Sequence, residues 1–73
     1  MTLLELPFNK SAKITVLPKD EAIAAQLIEQ GFTLRTPISL AHKAPFNGPM
    51  AFRIHNTKIS IQRTIAEQIG INF

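Results

Sequence analysis

The chain has 73 residues, of which 45% are hydrophobic and 18% charged, with no cysteine and a formal net charge of +3. That length makes one small domain over residues 1–73, burying roughly 60% of its unfolded surface, and leaves no room for a separate catalytic domain. The apolar content argues against disorder, the absence of thiols excludes disulfide frameworks and thiolate zinc sites, and no run approaches the ~20 apolar residues that span a bilayer, so a soluble cytoplasmic protein is expected.

In chain order, Leu3-Leu4-Glu5-Leu6 is a short apolar run with no basic leader before it. Ala12, Ile14 and Val16 then alternate with Lys13, Thr15 and Leu17, the period of two of a strand with one buried face, and Pro18 ends it. From Asp20 to Gln30, residues Ile23, Ala24, Leu27 and Ile28 share a face at helical spacing. Asp20 is placed to cap this helix, and Gly31 to stop it in a left-handed conformation that folds Phe32 back onto Leu27. Thr36-Pro37 forces extended backbone. Ile38 and Leu40 alternate with Ser39 and Ala41 as a second strand, and Met50, Phe52 and Ile54 alternate with Ala51, Arg53 and His55 as a third.

Register selects the turns. A two-residue turn at Asn47-Gly48 would set Leu40 against His55 and Lys43 against Phe52, mixing polar and apolar side chains on one face. A three-residue loop Phe46-Asn47-Gly48, with Gly48 left-handed in a bulge, instead pairs Leu40 with Ile54 and Ala44 with Met50. A two-residue turn at Asn56-Thr57 sets Ile54 opposite Ile59 and Phe52 opposite Ile61. Thr64 to Glu67 has capping-box spacing for one helical turn, and Ile69, Ile71 and Phe73 alternate as a closing strand. The expected fold is mainly β, a small SH3-like five-stranded barrel with the helix between strands 1 and 2; the stretch from Leu27 to Ile71 alone already reads as a small barrel.

Charge is unevenly placed. Asp20, Glu21 and Glu29 fall in the helical segment, whereas Lys13, Lys43, Arg53, Lys58 and Arg63 fall in strand segments. No serine has a histidine and an acid at recognisable spacing, there is no glycine-rich phosphate loop, and Glu21 and Glu29 are too far apart on a helix to share a proton, so no catalytic residue and no cofactor are expected. A metal ion would find only His42, His55 and scattered carboxylates as ligands. In the register above His42 has core parity and His55 lies on the opposite face, so the two cannot share an ion and no metal site is expected.

Four segments together resemble the FeoA family: Leu3-Leu4-Glu5-Leu6; Leu27-Ile28-Glu29-Gln30-Gly31-Phe32; the turn from Ala44-Pro45 to Gly48-Pro49; and Ile59-Ser60-Ile61-Gln62-Arg63 before Ala66-Glu67-Gln68-Ile69. The chain departs from the family pattern at Leu34-Arg35, where a Pro-Gly pair is usual, and at Asn56-Thr57, where a glycine is usual. The resemblance implies a small cytosolic accessory protein of bacterial ferrous iron transport, binding the cytosolic, G-protein-bearing part of the FeoB membrane permease. It implies no catalytic residue.

The candidate partner-binding residues follow from exposure and rigidity. Phe46 sits at a hairpin tip between Pro45 and Pro49, where it either projects as a preorganised anchor or folds back over the barrel mouth. Leu34 and Arg35, after the helix, are further interface candidates, and Lys43 and Arg53 share an outward parity with Lys13. The alternative reading is an SH3-like domain that binds nucleic acid or acts like the C-terminal barrel of an iron-dependent repressor. Against it, Phe8, Phe32 and Phe52 are expected to be tied into the core, leaving few rings for base stacking. Weak self-association is a third reading.

Overall fold

A computed structural model describes residues 1–73. A 3₁₀ turn over Leu3–Glu5 precedes β1 (Ser11–Val16), α1 (Glu21–Glu29), β2 (Pro37–Lys43), β3 (Met50–Ile54), β4 (Thr57–Ile61), the one-turn helix α2 (Arg63–Ala66) and β5 (Gly70–Asn72). The strands form one antiparallel sheet in the order β4-β3-β2-β1-β5, with the main helix between β1 and β2 as expected. Because β1 lies between β2 and β5, the segment from Leu27 to Ile71 is not a barrel by itself. No helix is long and apolar enough to cross a membrane.

The inner face of the sheet is built from the alternating apolar residues. Ile14, Ile38, Leu40, Met50, Phe52, Ile54, Ile61 and Ile71 are buried, joined by Leu27 and Phe32 from the end of α1 and by Leu3, Leu6, Ala66 and Ile69. The helix is held at both ends by its own residues. Asp20 Oδ1 accepts from the amides of Ala22 at 2.9 Å and Ile23 at 3.2 Å. At the other end Gly31 has φ +106°, the Phe32 N–H donates to the Leu27 carbonyl at 2.9 Å and the Gly31 N–H to that of Ile28 at 3.0 Å. This is a complete Schellman motif, with Phe32 and Leu27 both buried.

Several local expectations are corrected. Val16 is 56% exposed because a bulge between Ile14 and Val16 in the β1/β5 ladder turns it out of the core. Ile28 is exposed, on the flank of α1, and Leu27 alone on that helix is fully buried. Phe8 is likewise exposed rather than tied into the core, since it sits in a turn before β1. Arg63 belongs to α2 and not to a strand. Thr64 caps nothing: the N-cap of α2 is Gln62, and the Thr64 carbonyl accepts from Gln68 Nε2 at 2.9 Å. Ile69 and Ile71 are buried as expected, but Phe73 lies beyond β5 and is exposed.

Both hairpin registers differ from expectation. The β2/β3 ladder pairs Leu40 with Phe52 and Lys43 with Met50, with a bulge between Leu40 and His42. Continued past Lys43 and Met50, this register leaves Phe46-Asn47 as a two-residue turn, with both residues at positive φ. Such a turn on its own would oppose polar to apolar residues, and the bulge at Ala41 restores the core face. The bulge also moves His42 off core parity, so it is exposed. The β3/β4 ladder pairs Ile54 with Thr57 and Phe52 with Ile59, so its turn is His55-Asn56, one residue earlier than expected.

Candidate partner-binding surface

The tip of the β2/β3 hairpin is the most exposed apolar feature of the molecule. Phe46 and Asn47 have φ +57° and +60°, the left-handed pair of a type I′ turn whose twist matches the flanking strands. The Gly48 N–H donates to the Pro45 carbonyl at 3.1 Å and the Ala44 N–H to the Pro49 carbonyl at 3.1 Å, closing the turn from both sides. Phe46 is 99% exposed, which decides between projection and folding back. Gly48 is not left-handed; glycine is needed there for space, since a Cβ would stand 2.8 Å from Ala44 Cβ. Arg63 on α2 donates from Nε to the Gly48 carbonyl at 3.2 Å and ties the base of the tip to the body of the protein.

The turn after α1 is the second exposed element. The Thr36 N–H donates to the Thr33 carbonyl at 3.2 Å, and the two threonine hydroxyls are hydrogen-bonded to each other. Within it Leu34 is 57% exposed, and Arg35 stands at φ +69° with its N–H donating to the Ile14 carbonyl at 2.6 Å. The main-chain bond fastens the turn to β1 while both side chains remain outside.

The predicted residues do not form one patch. Leu34 and Arg35 precede β2 and the Phe46 tip follows it, so the seven-residue strand separates them by roughly 20 Å. Lys43, Pro45, Phe46 and Pro49 gather at the tip end, all exposed. Arg53 pairs with Ser39 near the start of β2 and belongs to the other end, with the His55-Asn56 turn. His42 and His55 are separated in the same way, and nowhere are three or more His, Cys, Asp or Glu side chains gathered as metal ligands would be.

The family model described as the FeoA domain matches residues 1–72. This chain belongs to the FeoA family. The fold agrees. The FeoA of Stenotrophomonas maltophilia, solved with zinc and described as a prokaryotic SH3 domain protein proposed to act as a ferrous iron transport activating factor, is 28% identical, with a TM-score of 0.82 over 99% of this chain and 89% of that one. Iron(II) transport protein A from Clostridium thermocellum is 25% identical with a TM-score of 0.91, over 99% of this chain but only 44% of the other. The FeoA protein of Chlorobium tepidum shares the fold at 22% identity, with a TM-score of 0.90 over 99% and 69% of the two chains. No curated protein matches the sequence.

Within this FeoA framework the two departures have a structural meaning. Leu34-Arg35 occupies a turn whose second central residue is left-handed, the place where a Pro-Gly pair fits without strain, and Arg35 adopts that φ regardless. The β3/β4 turn is closed by His55 and Asn56 at φ +51° and +64°, so its left-handed residues are a histidine and an asparagine instead of glycine. Sequence reasoning also missed a groove of about 510 Å³ between α1 and the β4/α2 corner, floored by Ile23, Leu27, Ile61 and Ile65 and rimmed by Gln26 and Gln62. Its signal was Ile65, an apolar residue three positions after a polar Gln62 on a helix too short to bury it.

Proposed function

We propose that this FeoA-family chain is a single-domain, non-catalytic accessory protein of bacterial ferrous iron uptake that works in the cytoplasm by binding the cytosolic, G-protein-bearing part of a FeoB-like permease. The observation that carries the reading is Phe46, 99% exposed on a turn closed by two main-chain hydrogen bonds and set between Pro45 and Pro49. A large ring carried on a main chain that is already fixed has only its two side-chain torsions left to order on docking, which is how an aromatic becomes the centre of an interface. Lys43 beside the tip, and Leu34, Arg35 and Arg53 at the opposite end of β2, extend the surface the partner would cover. Binding at such a surface acts by favouring one conformation or assembly of the partner over another.

The test is binding of the full chain to the purified cytosolic part of the cognate permease, with and without guanine nucleotide. Phe46→Ala should weaken binding roughly 30-fold, as expected of a hot-spot residue. Its thermal midpoint should stay unchanged, because the ring touches nothing in the free protein. No binding by the unaltered chain under either condition, together with unchanged iron uptake in a deletion strain, would overturn the proposal.

A further inference from the structure

No strand of this molecule carries an acidic residue. The five carboxylates, Glu5, Asp20, Glu21, Glu29 and Glu67, lie in or beside the 3₁₀ turn, α1 and α2, while Lys13, Lys43, Arg53 and Lys58 lie on β1 to β4 and are all exposed. Arg53 and Lys58 are direct cross-strand partners. Like charges in that position repel and weaken the ladder, and the sheet supplies no anion to relieve them. Lysine on an edge strand is a common guard against edge-to-edge aggregation, which accounts for Lys58 on β4. It does not account for Arg53, because β3 is an interior strand.

The ladder extends this pair into a row. Lys58 pairs with Arg53, Arg53 with Ser39 and Ser39 with Ser11, so two cations and two hydroxyls cross four adjacent strands. Beside the row lies a shallow hollow of about 230 Å³ lined by Ser11, Ser39, Arg53, His55 and Asn56, among others, and by no carboxylate. The row is about 14 Å long at the usual strand spacing, which an extended peptide of four or five residues covers. A single small anion would engage only one part of it. For nucleic acid the row lacks a stacking platform: Phe52, the only Phe, Tyr or Trp on any strand, is fully buried.

We infer that the Ser11-Ser39-Arg53-Lys58 row is a docking site for an extended acidic segment, rich in Asp and Glu, of the partner protein. The Arg53 guanidinium offers a paired fork to one carboxylate, the Lys58 ammonium takes a second, and the serine hydroxyls can donate to carbonyl or carboxylate oxygens along the segment. Neutralisation would also remove the repulsion between Arg53 and Lys58. The inference rests on the proposed binding of a permease partner and supplies the chemistry of one contact.

Arg53→Glu provides the decisive variant, since it sets a carboxylate opposite Lys58 and converts a repulsive cross-strand pair into an attractive one. Its thermal midpoint should hold or rise, so a loss of binding cannot come from unfolding. Titration of the full labelled chain with hexaglutamate at low salt should shift the amide resonances of Ser39, Arg53 and Lys58 saturably. Arg53→Glu should weaken that binding, and the binding of the permease part, at least tenfold. Inorganic phosphate producing the same shifts at equal concentration, a uridine hexanucleotide binding more tightly than hexaglutamate, or no saturable shift in the row would each overturn the inference. Permease binding that withstands Arg53→Glu and high salt would overturn it while leaving the proposed function standing. A chain that binds hexaglutamate at the row but never the permease part would fail the proposed function alone.

Discussion

Arg35 and Phe46 both stand in the left-handed region, at φ +69° and +57°, without the short polar side chain that lets asparagine rest there. Each conformation costs an ordinary L-residue about 1 kcal/mol or more, and both occur at exposed positions where no buried contact of the side chain returns it. Arg35→Gly should therefore raise stability by about 1 kcal/mol, read as a higher urea midpoint, because glycine adopts this φ without the Cβ clash. The opposite substitution tests the same physics. Gly31→Ala, at φ +106° with its new Cβ 3.4 Å from Ile54 Cγ2, should lower stability by about 1 to 2 kcal/mol, and equal midpoints for the two variants would refute the strain account. Gly31 was legible in the sequence because a glycine after a helical pattern has one common use. Arg35 was not, since nothing in a Leu-Arg pair announces a positive φ. Phe46 was legible as a tip residue, but its exposure depended on which residues made the turn.

Turn position is where pattern reasoning on the strands reached its limit. Strand faces repeat every two residues, so two registers that differ by two conserve every inward and outward side chain and are equivalent to a reading of apolar alternation. That is the error in the β3/β4 hairpin, expected at Asn56-Thr57 and found at His55-Asn56. In the β2/β3 hairpin the bulge at Ala41 added a half-step that alternation cannot signal, and it also carried His42 to the outside. On α1 local chemistry was the better guide: the Asp20 cap and the Gly31 Schellman motif depend on residues a few positions apart, and both stand as read, whereas the same kind of reading failed at Thr64. The observed β3/β4 turn makes a prediction that the expected one does not. With positions 55 and 56 both left-handed, His55→Asn combined with Asn56→Gly installs the favoured type I′ pair and should stabilise the protein by about 0.5 to 1 kcal/mol in thermal or urea unfolding. A turn at positions 56 and 57 would place the new asparagine in the strand and give a loss. On α1, Asp20→Ala should cost about 1 kcal/mol by leaving the Ala22 and Ile23 amides without their acceptor.

Over the whole molecule, the two ends of the chain are knitted together, and this makes the N-terminal segment part of the fold that presents the proposed binding surface. The Leu3 N–H donates to the Ile69 carbonyl at 3.1 Å, the Ile71 N–H donates to the Met1 carbonyl at 2.9 Å, and Thr2 bridges Gly70. The Thr2 N–H is in turn held by Glu5 Oε1 at 2.9 Å, which fixes the 3₁₀ turn and drives Leu3 and Leu6 into the core beside Ala66 and Ile69. Burying two leucines is worth about 3 to 6 kcal/mol. A domain of this size has a total stability of roughly 4 to 11 kcal/mol, so that contribution is most of the margin. Removal of residues 1–6 should accordingly abolish cooperative unfolding, with loss of dispersed amide resonances, although every residue of the tip and of the Arg53-Lys58 pair is retained. Leu3→Ala, which keeps the main-chain bonds, should lower stability by about 2 to 5 kcal/mol without changing the fold. A truncated chain that still unfolds cooperatively would show that the β2-β3-β4 hairpins with α1 form a unit of their own. If the two ends are needed, a fragment from Leu27 onward will present neither surface to a partner, and binding will be a property of the whole five-stranded fold instead of its C-terminal hairpins.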